Sequence, residues 1–144
     1  MRKLIFVTIA VALAAPVFAQ NLGNLSSNPY GPDSSANQYG AGSPYNPNSI
    51  NNPYGRFGSP YSPDSATNPY AMDAPKLYDD QGNYHGKLSA NPYDPDSTSN
   101  QFGRYGSPYS ADSINNPFGA GSPYRSDSPN NPYGHGMEMQ GDAN

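Results

Sequence analysis

The sequence contains no cysteine and no tryptophan, and beyond its first 19 residues it has few aliphatic side chains. Residues 20–144 hold four Leu, two Ile, three Phe and no Val, far fewer than an ordinary hydrophobic core requires. The absence of cysteine excludes disulfides, so any order in this region comes without covalent cross-links. Glutamate occurs once, and histidine occurs only at His85 and His135. Because acid, base and nucleophile are so poorly supplied, we predict no catalytic residue and a protein that is not an enzyme.

Positive charge is also scarce. The formal net charge of the whole chain is −4, and it becomes −6 for residues 20–144 once Arg2 and Lys3 are left out. This sign argues against nucleic acid, whose binding depends on Lys and Arg neutralising phosphates, and against anionic membrane surfaces. No cofactor is predicted. Self-association or a component of the envelope or matrix is the expected kind of partner, and its identity stays open.

Residues 1–19 have the pattern of a secretory signal peptide. Arg2 and Lys3 precede an apolar run from Leu4 to Ala15, and a small-residue site predicts cleavage between Ala19 and Gln20. The apolar run is short for a membrane helix of about 20 residues, and no second apolar stretch follows it. We therefore expect an exported protein, periplasmic or extracellular, without a membrane span after cleavage.

A unit of 15 to 16 residues is repeated through the rest of the chain. It reads [Ser/Asn]-Pro-Tyr-x-Pro-[Asp/Asn]-Ser-x-x-Asn-[Pro/Gln]-[Tyr/Phe]-[Gly/Ala], and its two aromatic residues are nine positions apart in each of six copies. Only the Gly-rich connector between copies changes length. This pattern identifies a tandem array. The first aromatics are Tyr30, Tyr45, Tyr61, Tyr93, Tyr109 and Tyr124, and the second are Tyr39, Tyr54, Tyr70, Phe102, Phe118 and Tyr133.

The repeats divide the chain into segments. Residues 20–27 form a leader, 28–73 hold three units, 91–136 hold three more, and 137–144 are predicted to be a flexible tail. Between the two groups, residues 74–90 keep the length of one unit without its motif. There the run Asp79-Asp-Gln-Gly-Asn83 between two apolar-containing stretches predicts a β-hairpin.

The composition predicts little regular secondary structure. Pro, Gly, Asn and Ser make up more than half of residues 20–144, which disfavours long helices and strands. We expect a tandem-repeat array of turns and short 3-10 or helical turns with one short β-hairpin. Whether it forms a small solenoid-like stack or is partly disordered stays open. Since the chain has few aliphatic residues, we expect tyrosines to pack in the interior of the array, with stacking on sugar rings as the alternative.

Two sets of residues have the chemistry of metal ligands. One acidic residue recurs at the same place in five units, and stacked units would align these oxygens for Ca²⁺, although aspartate after proline is also an ordinary turn residue. The C-terminal His135, Met137 and Met139 offer an imidazole and two thioethers, which suit copper. The recurring acids are Asp33, Asp64, Asp96, Asp112 and Asp127.

Several phrases resemble a family of exported bacterial repeat proteins. They are Ser59-Pro-Tyr-Ser-Pro-Asp-Ser65, Leu77-Tyr-Asp-Asp-Gln-Gly-Asn-Tyr84, Asn91-Pro-Tyr-Asp-Pro-Asp-Ser97 and Ser113-Ile-Asn-Asn-Pro-Phe-Gly119. The resemblance spans roughly residues 28–134 and implies export and repetition. It carries over no activity and no site residue.

These observations favour an exported, non-enzymatic repeat protein that acts as a structural or interaction element of the bacterial envelope, surface or matrix. Two alternatives stay open. One is a binding module for a metal ion or a glycan, and the other is a flexible spacer. If the chain has a local site, residues 76–87 form the most distinctive surface.

Overall fold

The computed structural model describes residues 20–141. It contains four short strands: β1 (Gln20–Leu25), β2 (Lys76–Tyr78), β3 (Tyr84–Lys87) and β4 (Met137–Gly141). They form one antiparallel sheet in the order β1-β4-β2-β3. The predicted array of 3-10 and helical turns is therefore wrong, since no residue from 20 to 141 is helical. The segments at the two ends, predicted as a leader and a flexible tail, supply β1 and β4.

The six repeat units are ribbons of consecutive turns, which we call coils 1–3 (28–42, 43–58, 59–73) and coils 4–6 (91–106, 107–121, 122–136). In coil 2, the backbone N–H of Asn46 donates to Ser43, that of Ser49 to Asn46, and that of Asn52 to Ser49. Each turn thus ends on the residue that begins the next one. The chain advances three residues at a time, with the shared residue facing inward.

The same three-residue step explains why the coils are not 3-10 helices. A 3-10 helix uses the N–H of every residue to reach the carbonyl three residues back. Here the second residue of a turn is commonly proline, which has no N–H, and the N–H of the third is taken by a side chain. In coil 2, for example, Ser43 Oγ accepts from Tyr45 N at 3.2 Å and Asn52 Oδ1 accepts from Tyr54 N at 3.0 Å. Only every third N–H is left for the turn.

One asparagine closes every coil and accounts for the constant nine-residue interval. In coil 2, Asn52 Nδ2 donates to the carbonyl of Asn46 at 3.1 Å, and the corresponding bond in coil 5 joins Asn116 to Ser110 at 2.9 Å. The carbonyl belongs to the residue after the first aromatic, and the asparagine lies two residues before the second. An insertion between them would break this bond. The same bond is made by Asn37, Asn68, Asn100 and Asn131.

The interior of the coils holds polar side chains that lie against the backbone. The serine four residues after the first aromatic is at most 4% exposed in each coil, and its hydroxyl accepts a backbone N–H two residues on, as Ser49 does from Asn51 at 3.0 Å. Neighbouring coils are joined by amides. Asn51 Nδ2 donates to Ser35 of coil 1 at 2.8 Å, and Asn130 donates to Ile114 of coil 5 at 2.9 Å.

The hydrophobic core lies between the sheet and the connectors of the coils. Every Leu and Ile of residues 20–141 contributes to it. The connectors bring in Phe57 (1% exposed) and Ala120 (0%), so the segment of variable length is where coils meet the core and is not a tolerant surface loop. The core consists of Leu22, Phe57, Leu77, Ala120, Met137 and Met139, with Leu25, Ile50, Leu88 and Ile114 packed against it.

The described chain is a duplication of about 63 residues with exchanged strands. Residues Gly23-x-Leu-Ser-x-Asn-Pro-Tyr30 recur as Gly86-x-Leu-Ser-x-Asn-Pro-Tyr93. Both glycines have φ near +90°, and a Cβ on either would lie 2.6 Å or less from the carbonyl oxygen of an aspartate in the adjacent coil. Each half gives one outer and one inner strand, but β1 pairs with β4 and β2 with β3. The outer strand of each half therefore pairs with the inner strand of the other half.

Replacing Phe57 by alanine should destabilise the protein by about 3–5 kcal/mol, because the change leaves a cavity in a small core. The matched control is Phe118→Ala, the same chemical change at a side chain that is 95% exposed, and it should shift the free energy of unfolding by no more than about 0.5 kcal/mol. Urea denaturation measures both values. Equal effects would contradict the placement of the core.

Within coil 2, Asn52→Asp should destabilise the protein by about 1–3 kcal/mol, since it removes the Nδ2 donor and places a carboxylate oxygen against the Asn46 carbonyl at a buried position. The control is Asn48→Asp in the same coil. Asn48 is exposed, and five of the other coils carry aspartate at this position, so the change should be neutral. Thermal unfolding of both variants checks the prediction, and a neutral Asn52→Asp would exclude the closing role of this amide.

Candidate functional site

The most prominent surface feature is an array of exposed aromatic side chains. All twelve repeat aromatics are 87–95% exposed. They occupy the third position of their turns, pointing away from the inward-facing Ser and Asn. The expectation that tyrosines pack in the interior is therefore wrong. The physical reason is that the inward positions lie against the backbone, where a hydroxyl or amide fits and bonds but a ring does not.

The three remaining tyrosines form a separate cluster beside the hairpin. The rings of Tyr78 and Tyr84 are 5.8 Å apart, and those of Tyr84 and Tyr105 are 5.2 Å apart in an edge-on arrangement. Burial raises the pKa of Tyr84, and the nearby carboxylate of Asp96, 3.4 Å from the hydroxyl, raises it further. Tyr84 is thus a neutral hydrogen-bond donor under all ordinary conditions. Tyr105 comes from the connector of coil 4, as Phe57 comes from that of coil 2.

The hairpin turn borders a charged cleft of about 850 Å³. Residues 79–83, between β2 and β3, form one wall, and coils 5 and 6 contribute Asp112, Arg125 and Asp127 to it. The equivalent region of the first half holds Asn21, Ala41 and Asn48 in place of Tyr84, Tyr105 and Asp112. The two regions have therefore diverged: Asp33 is the one Asp, Glu, Lys or Arg residue in the lining of the first, whereas six such residues line the cleft beside the hairpin.

At the wall of this cleft, a buried histidine links the hairpin to coil 5. His85 is 5% exposed, its Nδ1 lies 2.9 Å from the carbonyl oxygen of Asp112, and its Nε2 lies 2.9 Å from Asp79 Oδ2. A carbonyl and a carboxylate both accept hydrogen bonds. Each ring nitrogen of His85 therefore faces an acceptor. With both nitrogens engaged, His85 holds the hairpin in place and is not presented as a base.

Asp79 organises the hairpin turn from the other side. Burial of its carboxyl group opposes ionisation, but hydrogen bonds from His85, Asn83 and Gln81 outweigh burial and lower the pKa of Asp79 below its ordinary value. Its Oδ1 accepts from the backbone N–H of Gln81 at 3.0 Å and of Asn83 at 2.8 Å. Gly82 supplies the positive φ of 80° that closes the turn.

The five aspartates considered for Ca²⁺ are not brought together. Asp64 pairs with Arg56 at 2.6 Å, Asp112 with Arg104 at 2.7 Å, and Asp127 with Arg125 at 3.1 Å. Asp96 lies beside the Tyr84 hydroxyl, and Asp33 is exposed on coil 1. Among residues 20–141, no three His, Asp or Glu side chains are grouped so as to hold a metal ion. These aspartates also do not cap their turns, because the acceptor is the residue before the proline, as in Asp94 to Asp96 N.

The imidazole and the two thioethers considered for copper are likewise not presented together. Met137 and Met139 point into the core and are 0% and 1% exposed. His135 precedes the strand, and its Nε2 lies 2.5 Å from Asp80 Oδ1. The thioethers are therefore core side chains, and the imidazole joins the C-terminal segment to the hairpin turn.

The predicted signal peptide and Ala19 lie outside the described residues. The first residue beyond the predicted cleavage site, Gln20, begins β1 and pairs with Gly141. In the part of the chain that the structure describes, no helix is long and apolar enough to cross a bilayer.

Comparison of the chain with models of protein families, with curated proteins and with solved structures gives no match.

The outward placement of the repeat aromatics could have been predicted from a pattern in the sequence. Serine or asparagine recurs every third residue through a unit, as in Ser43, Asn46, Ser49 and Asn52, and this period of three separates inward polar residues from outward Pro-Tyr pairs. No comparable pattern indicates the role of His85. Its two partners are Asp79, at the end of β2, and Asp112 of coil 5, which is 27 residues away.

Protonation of Asp79 should lower the free energy of unfolding at acid pH. Because the folded-state pKa of Asp79 is depressed, its contribution is present above the unfolded value of about 3.8 and is lost as pH falls through the folded value. In Asp79→Asn this acid-sensitive part should be missing, whereas Asp73→Asn, at an exposed carboxyl group, should keep it. Chemical denaturation between pH 2 and pH 6 tests this. Identical pH profiles for Asp79→Asn and the wild type would contradict it.

Proposed function

We propose that the chain is an exported, non-enzymatic protein that acts as an interaction element of the bacterial envelope, surface or matrix, with the aromatic array as its contact surface. The observation that carries the proposal is the outward placement of twelve large aromatic side chains on a hydrogen-bonded backbone. Burying such a side chain is worth about 1.5–3 kcal/mol. Aromatic residues are enriched at protein interfaces relative to the rest of the surface.

The backbone beneath the array supports this role. Each second aromatic follows an asparagine whose amide accepts its N–H and donates to a carbonyl six residues back, as Asn116 does for Phe118 at 3.0 Å. The ring therefore projects from a closed turn and loses little backbone freedom when a partner binds. Preorganisation of this kind favours binding, and it weighs against the flexible spacer.

The surroundings of His85 support a non-enzymatic role. Both nitrogens of His85 are within 2.9 Å of acceptors. A nucleophile activated by a histidine needs a free ring nitrogen within hydrogen-bond reach. A metal-binding module is disfavoured because three of its five candidate carboxylates face arginines. Export itself rests on the pattern of residues 1–19.

Retention in the envelope or matrix should depend on the rings and not on the hydroxyls. One variant changes six aromatics to serine, and a matched variant places phenylalanine at the same six positions. We expect the serine variant to be released into the medium and the phenylalanine variant to stay with washed cells or matrix, as measured by immunoblotting of the fractions. The six positions are Tyr39, Tyr54, Tyr70, Phe102, Phe118 and Tyr133.

Circular dichroism of both variants provides the folding control, because exposed rings add little to stability. Equal retention of a folded serine variant would overturn the proposed role of the array. N-terminal sequencing of the released protein tests export separately, with Gln20 expected as the first residue.

A further inference from the structure

The two aromatics of coil 4 flank a groove. It has a volume of about 440 Å³, and its lining comprises Pro92, Tyr93, Ser99, Asn100, Gln101 and Phe102. This volume lies within the range of about 300–1,000 Å³ that is typical of small-molecule sites. Tyr93 is 87% exposed and Phe102 is 93% exposed, so both rings are open to a ligand.

The polar groups of the groove differ in their availability. The Asn100 amide is engaged with Asp94 and with the N–H of Phe102, at 3.1 and 3.0 Å, and Ser99 Oγ donates to the carbonyl of Ser89 at 2.6 Å. Gln101 is exposed. Its amide can therefore exchange water for a ligand hydroxyl, since it offers both a donor and an acceptor.

Charge decides which ligands fit this groove. None of the six lining residues is ionisable near neutral pH, and residues 20–144 carry a net charge of −6 once Arg2 and Lys3 are excluded from the total of −4. An acidic polymer would be repelled, and a cationic one would find no carboxylate in the groove. The complementary ligand is neutral, with apolar faces for the rings and hydroxyl groups for the amide.

The repetition indicates a polymeric ligand. The same pair of aromatics occurs in six coils, and coil 1 also carries glutamine, at Gln38, where coil 4 has Gln101. Single sites of this kind are weak. Sites linked on one scaffold raise the overall affinity by factors of about 10²–10⁴ when the ligand reaches several of them.

We propose that the groove between Tyr93 and Phe102 binds a pyranose ring of a neutral polysaccharide, and that the aromatic pairs of the other coils repeat the stacking part of this contact. The C–H face of the sugar stacks on an aromatic ring, and its hydroxyls bond to the Gln101 amide. The inference rests on the proposed function, since it names the ligand class of the same aromatic array.

The three phenylalanines of residues 20–144 provide the test, because Phe102 and Phe118 are exposed and Phe57 is buried. The protein beginning at Gln20, with ¹³C-labelled phenylalanine rings, is titrated with cellohexaose and maltohexaose as neutral probes and with oligogalacturonate as an acidic one. We expect saturable shifts of Phe102 and Phe118 with at least one neutral probe, no shift of Phe57, and no response to the acidic probe. Gln101→Ala should reduce the Phe102 shift and leave that of Phe118 unchanged.

Binding to the polymer is measured by gel retardation in hydroxyethylcellulose and in dextran. Phe102→Ala should weaken retardation several-fold, whereas Met72→Ala, which removes a 79% exposed apolar side chain outside the aromatic pairs, should not. Absence of saturable shifts, or an equal response to oligogalacturonate, would overturn the inference. So would shifts of Phe102 that depend on protein concentration alone, which would identify a second copy of the chain as the occupant.

The two proposals fail separately. Loss of envelope retention in the serine variant together with no binding of neutral glycans would leave the interaction role standing and remove the polysaccharide. Glycan binding by the purified protein together with unchanged retention of the serine variant would leave polysaccharide binding standing and remove the role of the array in retention.

Discussion

An asparagine amide in each coil donates to a carbonyl six residues back and accepts the N–H of the following aromatic, and most of the structure depends on this pair of bonds. Because both bonds come from one side chain, the backbone from the bonded carbonyl to the second aromatic has a fixed length and a fixed path. The inward positions along that path lie against the backbone and admit only small polar groups such as Ser49, which is 0% exposed. Large side chains are consequently placed outside. The aromatic surface is thus a direct product of how the coil closes and needs no separate device to keep the rings in water.

The molecule divides stabilisation between two kinds of interior. Within the coils, hydroxyls and amides satisfy backbone groups, which avoids the cost of leaving buried donors and acceptors unpaired. Between sheet and connectors, a small set of Leu, Ile, Met and Phe side chains supplies apolar burial. A connector with one extra residue carries an arginine and an aromatic, as in Arg56 and Phe57, whereas the shorter one carries alanine at position 120. The length of a connector and the size of its central side chain therefore vary together.

Part of this architecture could be predicted from the sequence. The constant aromatic interval, the turn-forming triplets and the strands on either side of Asp79–Asn83 follow from local chemistry, since Pro, Gly, Asn and Ser act over a few residues. The four-stranded sheet could not be predicted, because β1 is a short polar stretch whose partner β4 lies more than 100 residues away. The outward direction of the rings differs from the expectation, because scarcity of aliphatic residues does not require aromatic packing. The few aliphatic residues present are instead gathered into one core, and the 63-residue repetition that organises them is visible in Gly23–Tyr30 and Gly86–Tyr93.

The pairing of β1 with β4 has a consequence for the order in which the protein is completed. A ribosome makes the chain from the amino end, so β1 is the first of the four described strands to be made and its partner, Met137–Gly141, is the last of them. Coils 1–3 form from neighbouring residues and need not wait, but Leu22 and Phe57 lack their methionine neighbours until β4 has been made. Non-local closures of this kind are slow compared with local turns. During this interval the edge of the sheet that β4 will cover is open, and β4 then both pairs with β1 and completes the core.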